Sequence, residues 1–322
     1  MSHTPTLARR TARFRAIATV SVLLGASACD NDRLGPLNTD EVPTAALGEA
    51  GDLTTSEASA SAAVSFAGGI PIGTFAQPTP TFGSIYNGAK LTLKPWQLMP
   101  TLAAVRARGG RVTLMLAGSS THYVDGNGHF DLRKWKARVA RFRVKNFSSY
   151  INDGTIIGHY LLDEPNDPNN WNGRMVSQAT VEEMARYSKQ IWPKLPTIVR
   201  TESSYMAKWS GTYRHLDAAW AQYVHRKGDV GAFLSRNIAD ARRKGLGLVV
   251  GLNILRGGPN LAPMTASQVR TWGSALLSSK YPCAFISWQY DATYLSRSGM
   301  KEAMSVLRRK AQNRSTKTCR GT

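Results

Sequence analysis

The run Gly158-His159-Tyr160-Leu161-Leu162-Asp163-Glu164-Pro165-Asn166 ends an apolar stretch in two adjacent carboxylates and a proline. Apolar residues at this length suit a strand packed on both faces, and Pro165 has no N–H to give a neighbour, so pairing should stop where the acids emerge. Fourteen of the chain's 21 acidic residues lie beyond residue 67, most of them in turns or on helices. Those left at strand ends are Asp163 and Glu164, Glu202 just past the run Thr197 to Thr201, and Asp291 just past Phe285-Ile286-Ser287-Trp288-Gln289-Tyr290. Two carboxylates around one pocket suit cleavage of a glycosidic bond. One, protonated, helps the leaving oxygen depart; the other, ionised, attacks the sugar or activates water. Glu164, Asp291 and Glu202 are the candidates for these two roles. Trp171, Trp220, Trp288 and Tyr290 stand at or beyond strand ends, where aromatic faces can stack on sugar rings. The amides of Asn166, Gln222 and Asn253 can recognise hydroxyls. Asp163 should point to the opposite strand face from Glu164, as a supporting or substrate-binding acid.

The elements that must position these residues alternate. Ile70 to Ala76 reads as a strand, Trp96 to Arg108 as a helix, Arg111 to Ala117 as a strand, and Leu132 to Tyr150 as a helix with Asp131 as its N-cap. The Tyr160 strand follows. Thr180-Val181-Glu182-Glu183 has the spacing of a capping box, opening a helix that Pro193 should end. Thr197 to Thr201, Ala218 to Val224, Leu246 to Ile254 and Ala284 to Tyr290 recur as strands, with helices near 230–244, 266–279 and 297–312. An eighth strand fits Ser84 to Leu93, although Asn87-Gly88 interrupts it. The pattern predicts a single (β/α)8 TIM-like barrel over 68–322, with an open doubly wound sheet as the alternative. No Gly-rich dinucleotide fingerprint follows the first strand. In such a barrel the strands' carboxyl ends carry the chemistry.

The segment Tyr160 to Asn166, together with a late strand carrying Trp288 before Tyr290-Asp291, resembles the TIM-barrel glycoside hydrolases of the large retaining clan. The resemblance implies that Glu164, closing the fourth strand before proline, is the acid/base, and that Trp288 on the eighth strand is a sugar platform. That clan also has a nucleophilic Glu at the end of the seventh strand. Here the corresponding run, Leu248 to Ile254, offers Asn253 and then Arg256-Gly257-Gly258, with no carboxylate. Either Asp291, slightly ahead, or Glu202 supplies the second acid from another strand, or the chemistry is different, or the barrel is a non-catalytic glycan-binding surface lipoprotein.

The N-terminus reads as an export signal over 1–29: Arg9, Arg10, Arg13 and Arg15 precede the apolar run Ala16 to Gly25, and Ala26-Ser27-Ala28 leads to Cys29. Small residues before a cysteine resemble a lipoprotein signal, which implies a lipid on Cys29 and anchorage to a membrane of the cell envelope, or secretion if Cys29 is not lipidated. Residues 30–67, rich in Ala, Ser, Thr and acids, suit a disordered tether. With Cys29 used, Cys283 and Cys319 remain as a pair that an oxidising compartment would join.

The formal charge of +20 would concentrate anionic ligands, so the expected partner is an oligo- or polysaccharide, possibly anionic, bound by a monomer. No zinc-finger or RNA-recognition motif accompanies the charge, so no specific nucleic acid partner is expected. The six His residues show no metal-ligand spacing, no G-x-S-x-G elbow surrounds Ser119-Ser120, and Asp125 to Asp131 reads as a glycine-rich turn. No metal or other cofactor is expected.

Overall fold

The computed structural model describes residues 68–314 and 318–320. The expected signal peptide, Cys29 and the tether lie outside the described residues. Strands β1 (Ile72–Phe75), β2 (Gly88–Thr92), β3 (Arg111–Met115), β4 (Ile156–Asp163), β5 (Thr197–Arg200), β6 (Ala218–Tyr223), β7 (Gly247–Leu252) and β8 (Ala284–Ser287) close in sequence order into an eight-stranded parallel barrel. The described helices are α1 (Leu98–Ala107), α2 (Leu132–Ala140), α3 (Ser148–Asn152), α4 (Gln178–Ile191), α5 (Ser203–Ala207), α6 (Val230–Arg243), α7 (Ala266–Leu276), α8 (Ala292–Ser296) and α9 (Met300–Gln312). Nearly every strand residue is buried, as expected of strands with side chains filling the barrel on one face and helices covering the other. Among the described residues no helix is long and apolar enough to cross a membrane.

Asn87-Gly88, which looks like an interruption in the sequence, starts β2. The Asn87 Oδ1 accepts the Ile72 N–H at 2.9 Å, tying β2 to β1. At Gly88 an added Cβ would lie 2.9 Å from the Ile72 nitrogen, so glycine is what lets the strands approach there.

Two helical expectations shift. The stretch 132–150 is two helices: α2 stops at Ala140, the Phe142 and Arg143 N–H groups turn to carbonyls three residues back, and Asn146 accepts the Ser148 N–H with its side chain (3.2 Å) where α3 begins. The Asp131 cap is present, accepting the Lys134 N–H at 3.0 Å. The spacing at Thr180 is not a capping box: Ser177 caps α4 by accepting the Thr180 N–H. Glu182 instead accepts the N–H groups of Arg214, His215 and Leu216, holding the turn that leads to β6.

Cys283 and Cys319 form a disulfide, with Cα atoms 5.3 Å apart and a separation of 36 positions in sequence. It pins the C-terminal tail across the amino end of the barrel, where the Cys319 carbonyl lies against Gly247. Loop-closure entropy for such a span is about 4 kcal/mol. Replacing both cysteines with serine should therefore lower unfolding stability by up to about that amount, measured by urea titration against the oxidised wild type. A loss under about 0.5 kcal/mol, the size of an ordinary surface change, would show that the bridge is structurally idle.

His159 lies in β4 on the face toward the helices, its Nδ1 2.8 Å from Ser188 Oγ and its ring stacked on Trp135 at 5.8 Å. Burial pushes its pKa down from 6.5 to about 3. Above 6.5 both folded and unfolded chains hold it neutral. As pH falls from there toward 3 the unfolded chain binds a proton that the folded chain refuses, so stability falls by about 1.4 kcal/mol per pH unit. His159→Gln should remove one proton's worth of that slope between about pH 6 and 4; an unaltered slope would mean that the folded ring protonates freely.

Candidate active site

β4 delivers its acids through an irregular end. Its register against β5 shifts between Tyr160 and Asp163, and Glu164, the first residue past the strand, takes the left-handed conformation at φ 39°. The Glu164 N–H still donates to Arg200 O at 2.8 Å. A regular strand would send Asp163 and Glu164 to opposite faces. With the shift and the left-handed turn, both carboxylates converge on one guanidinium: Arg200 Nη1 pairs with Asp163, and Nη2 lies 3.3 Å from Glu164 Oε1.

Arg200 is only 3% exposed, so its orientation matters. Its Nε donates to Gln222 Oε1 at 2.8 Å, and Gln222 Nε2 donates to Leu252 O at 2.9 Å. Gln222 thus carries the guanidinium from β6. From the other side the Trp171 indole donates to Glu164 O at 3.2 Å, and Trp171 is itself buried against Tyr123 and Phe130. Asn166 accepts the Thr201 hydroxyl at 2.7 Å, joining the β4 and β5 loops. Trp220 is buried inside the barrel and packs edge-on against Phe75 and Tyr160, at 4.9 and 5.4 Å between ring centroids. These rings form the floor of the mouth. Lys90 Nζ lies 5.2 Å from the Phe75 centroid and 5.1 Å from that of Tyr160, and the Arg200 guanidinium lies 5.6 Å from Phe75. Burial, and then the charge of Asp163, push the Tyr160 phenol well above its ordinary pKa, so it keeps its proton.

Asp291 lies just past β8. Its Oδ1 accepts the Tyr294 N–H at 2.7 Å and caps α8. Tyr290 N–H donates to Phe75 O at 2.9 Å, which fixes this loop beside the aromatic floor. Trp288 and Tyr290 are half-buried, and the Trp288–Gln289 peptide bond is cis. Burial and the neighbouring Tyr290 push the Tyr86 phenol up to about 12, so it keeps its proton. Asn253 is buried, and its Oδ1 accepts the Arg256 N–H at 3.0 Å, shaping the turn after β7. Glu202 pairs with Lys227 at 2.6 Å.

No family model matches the sequence, and no curated protein matches it. Solved structures do share its architecture. A candidate alpha-L-fucosidase from Bacteroides thetaiotaomicron superimposes with a TM-score of 0.52 at 14% identity, covering 83% of this chain and 99% of that one. What they share with this chain is the eight-stranded (β/α) barrel. A cellulase solved with an inhibitor gives 0.50 at 12% identity, over 75% of this chain and 92% of that one. Gas2p of Saccharomyces cerevisiae, solved with laminaripentaose, gives 0.50 at 13% identity, over 78% and 66%. In this barrel, Arg200 and Lys90 are the mouth residues that sequence reading missed. Each is a cation inside an otherwise strand-like run, and that was the available signal.

Proposed function

We propose that the protein hydrolyses a glycosidic bond of an oligo- or polysaccharide, with Glu164 as general acid/base. The observation that carries this reading is the placement of Glu164: first residue past β4, at the carboxyl face of the barrel, gripped through its backbone by Trp171 and beside Arg200 through its side chain. Glu164 gives its proton to the departing oxygen as the bond to the anomeric carbon breaks. The partner carboxylate attacks that carbon or deprotonates the water that does, and water supplies the atoms of the new hydroxyl. Asp291 is the preferred partner. In a closed barrel of eight strands β8 stands opposite β4, so the two acids would flank a sugar from both sides, whereas Glu202 follows the adjacent strand. Trp288 and Tyr290 precede Asp291 and serve as the sugar platform. The likeness to a cellulase and to a protein solved with laminaripentaose supports a carbohydrate ligand. Turnover of a polysaccharide panel by wild type and by Glu164→Gln tests the reading.

Export and a lipid on Cys29 belong to the same proposal, resting on the arginine-rich, apolar, small-residue order of the first 29 residues. Mass spectrometry of membrane-extracted protein should find an acylated N-terminal Cys29; an unacylated N-terminus elsewhere would remove the anchor.

A further inference from the structure

Beside the mouth, at the carboxyl end of β3, positive charge gathers with no acid among the described residues to match it. Arg138 of α2 reaches back to the barrel and donates its Nε to Ala117 O at 3.1 Å. Its Nη2 lies over Gly118, so near that an added Cβ would come within 3.2 Å of it and within 3.7 Å of His122 Cδ2. Arg141, almost one turn further on, donates its Nε to Arg138 O at 2.9 Å. Both guanidiniums are thus anchored through Nε, and their terminal amines make no hydrogen bond or ion pair with the described residues. The acids of the adjoining loop are spent elsewhere: Asp125 accepts the N–H groups of Asn127 and His129, and Asp131 caps α2.

Crowding of like charge costs stability unless an anion offsets it. It shows in the groups themselves. The His122 pKa is pushed down by burial and then by Arg138 and Arg141, and the Arg141 pKa by burial and then by Arg138. The forked terminal amines of an arginine match a carboxylate or a sulfate group, and the Thr121 and Ser119 hydroxyls, 3.1 Å apart, lie in the same loop. Tyr123, beside His122 in sequence, stacks on Trp171, whose indole holds Glu164. The cluster is therefore linked to the candidate acid through one aromatic layer. At the mouth, Asp163, Glu164 and Glu202 already have Arg200 and Lys227 as partners.

We propose that Arg138, Arg141 and His122 form a subsite for an anionic substituent, a carboxylate or a sulfate ester, on the glycan bound at the mouth. The substrate is then an anionic polysaccharide. The subsite rests on the reading of the mouth as a glycan site, but its test needs no turnover. Affinity electrophoresis through dextran, carboxymethyl-dextran and dextran sulfate presents one backbone in neutral, carboxylated and sulfated forms. Wild type should be retarded by a charged dextran and not by dextran, and the stronger of the two charged polymers identifies the substituent. Arg138→Gln with Arg141→Gln should weaken that retardation about tenfold, as loss of charge-assisted hydrogen bonds does. Arg236→Gln with Arg270→Gln removes the same charge from exposed sites on α6 and α7 and should leave it nearly unchanged. Arg141→Gln alone, at an exposed position, reads the same site should the Arg138 change disturb the loop. Equal loss in the control pair, or none in the Arg138–Arg141 pair, overturns the subsite. So does retention of a short DNA duplex with the same loss, which would make the cluster a general polyanion patch. If Glu164→Gln leaves hydrolysis intact while this pattern holds, the catalytic reading fails and the subsite stands.

Discussion

Replacing Glu164 with glutamine should cut turnover of a natural glycan by roughly 10²–10⁴-fold, the usual contribution of a positioned general acid, while glycan binding survives. The amide has the size of the carboxyl and leaves the Trp171 bond, made to the backbone carbonyl, in place. What it lacks is the proton. Asp291→Asn and Glu202→Gln, measured beside it, separate the partner from the bystander. Loss of the true partner should be similarly severe, whereas Glu202 acting only as an ion-pair acceptor for Lys227 should scarcely matter to turnover. Joining Glu164→Gln to the true partner's change should cost much less than the product of the single effects, because the two groups act as a unit. Asp291→Asn keeps an oxygen to cap α8, so a loss of activity there would not come from a lost helix cap. Full activity of Glu164→Gln in an active wild type would remove Glu164 from the chemistry. Glycan binding with no turnover across a broad polysaccharide panel would make the barrel a binding module.

How much of this was legible before the structure depends on the range of the interaction involved. The strand and helix alternation was, because buried strands and amphipathic helices write their periods locally. So was the acid at the end of β4, since Pro165 marks where pairing stops. The split of the stretch 132–150 lies in the tight turns that follow Ala140, which helical periodicity does not register. The role of Glu182 was hidden for another reason: its partners are the N–H groups of residues 214–216, more than thirty positions away. The same holds for Arg200. Nothing near it in sequence announces Asp163 on the neighbouring strand or Gln222 on the next, and period-two reasoning sent Asp163 and Glu164 apart because it has no term for a register shift followed by a left-handed residue.

That convergence makes Arg200 the position with the largest expected structural effect. Arg200→Met keeps length and apolar stem but removes the charge that Asp163 and Glu164 share and the donor that Gln222 accepts. Breaking a buried pair by removing one partner costs about 3–5 kcal/mol. The Asp163 and Glu164 side chains are 30% and 22% exposed, so water can partly replace the guanidinium, and a loss of roughly 3 kcal/mol in urea titration is expected. Turnover should fall as well, because Glu164 loses the side-chain contact that aims it. Asp163→Asn added to Arg200→Met should cost less than the sum of the two changes, since each alone strands the other. Arg200→Lys separates charge from geometry. An ammonium restores a counter-charge but cannot fork to two carboxylates while donating to Gln222. It should therefore recover part of the stability and little of the turnover. Recovery of both would reduce Arg200 to a counter-ion, and a stability change within about 0.5 kcal/mol for Arg200→Met would show that the two acids do not depend on it.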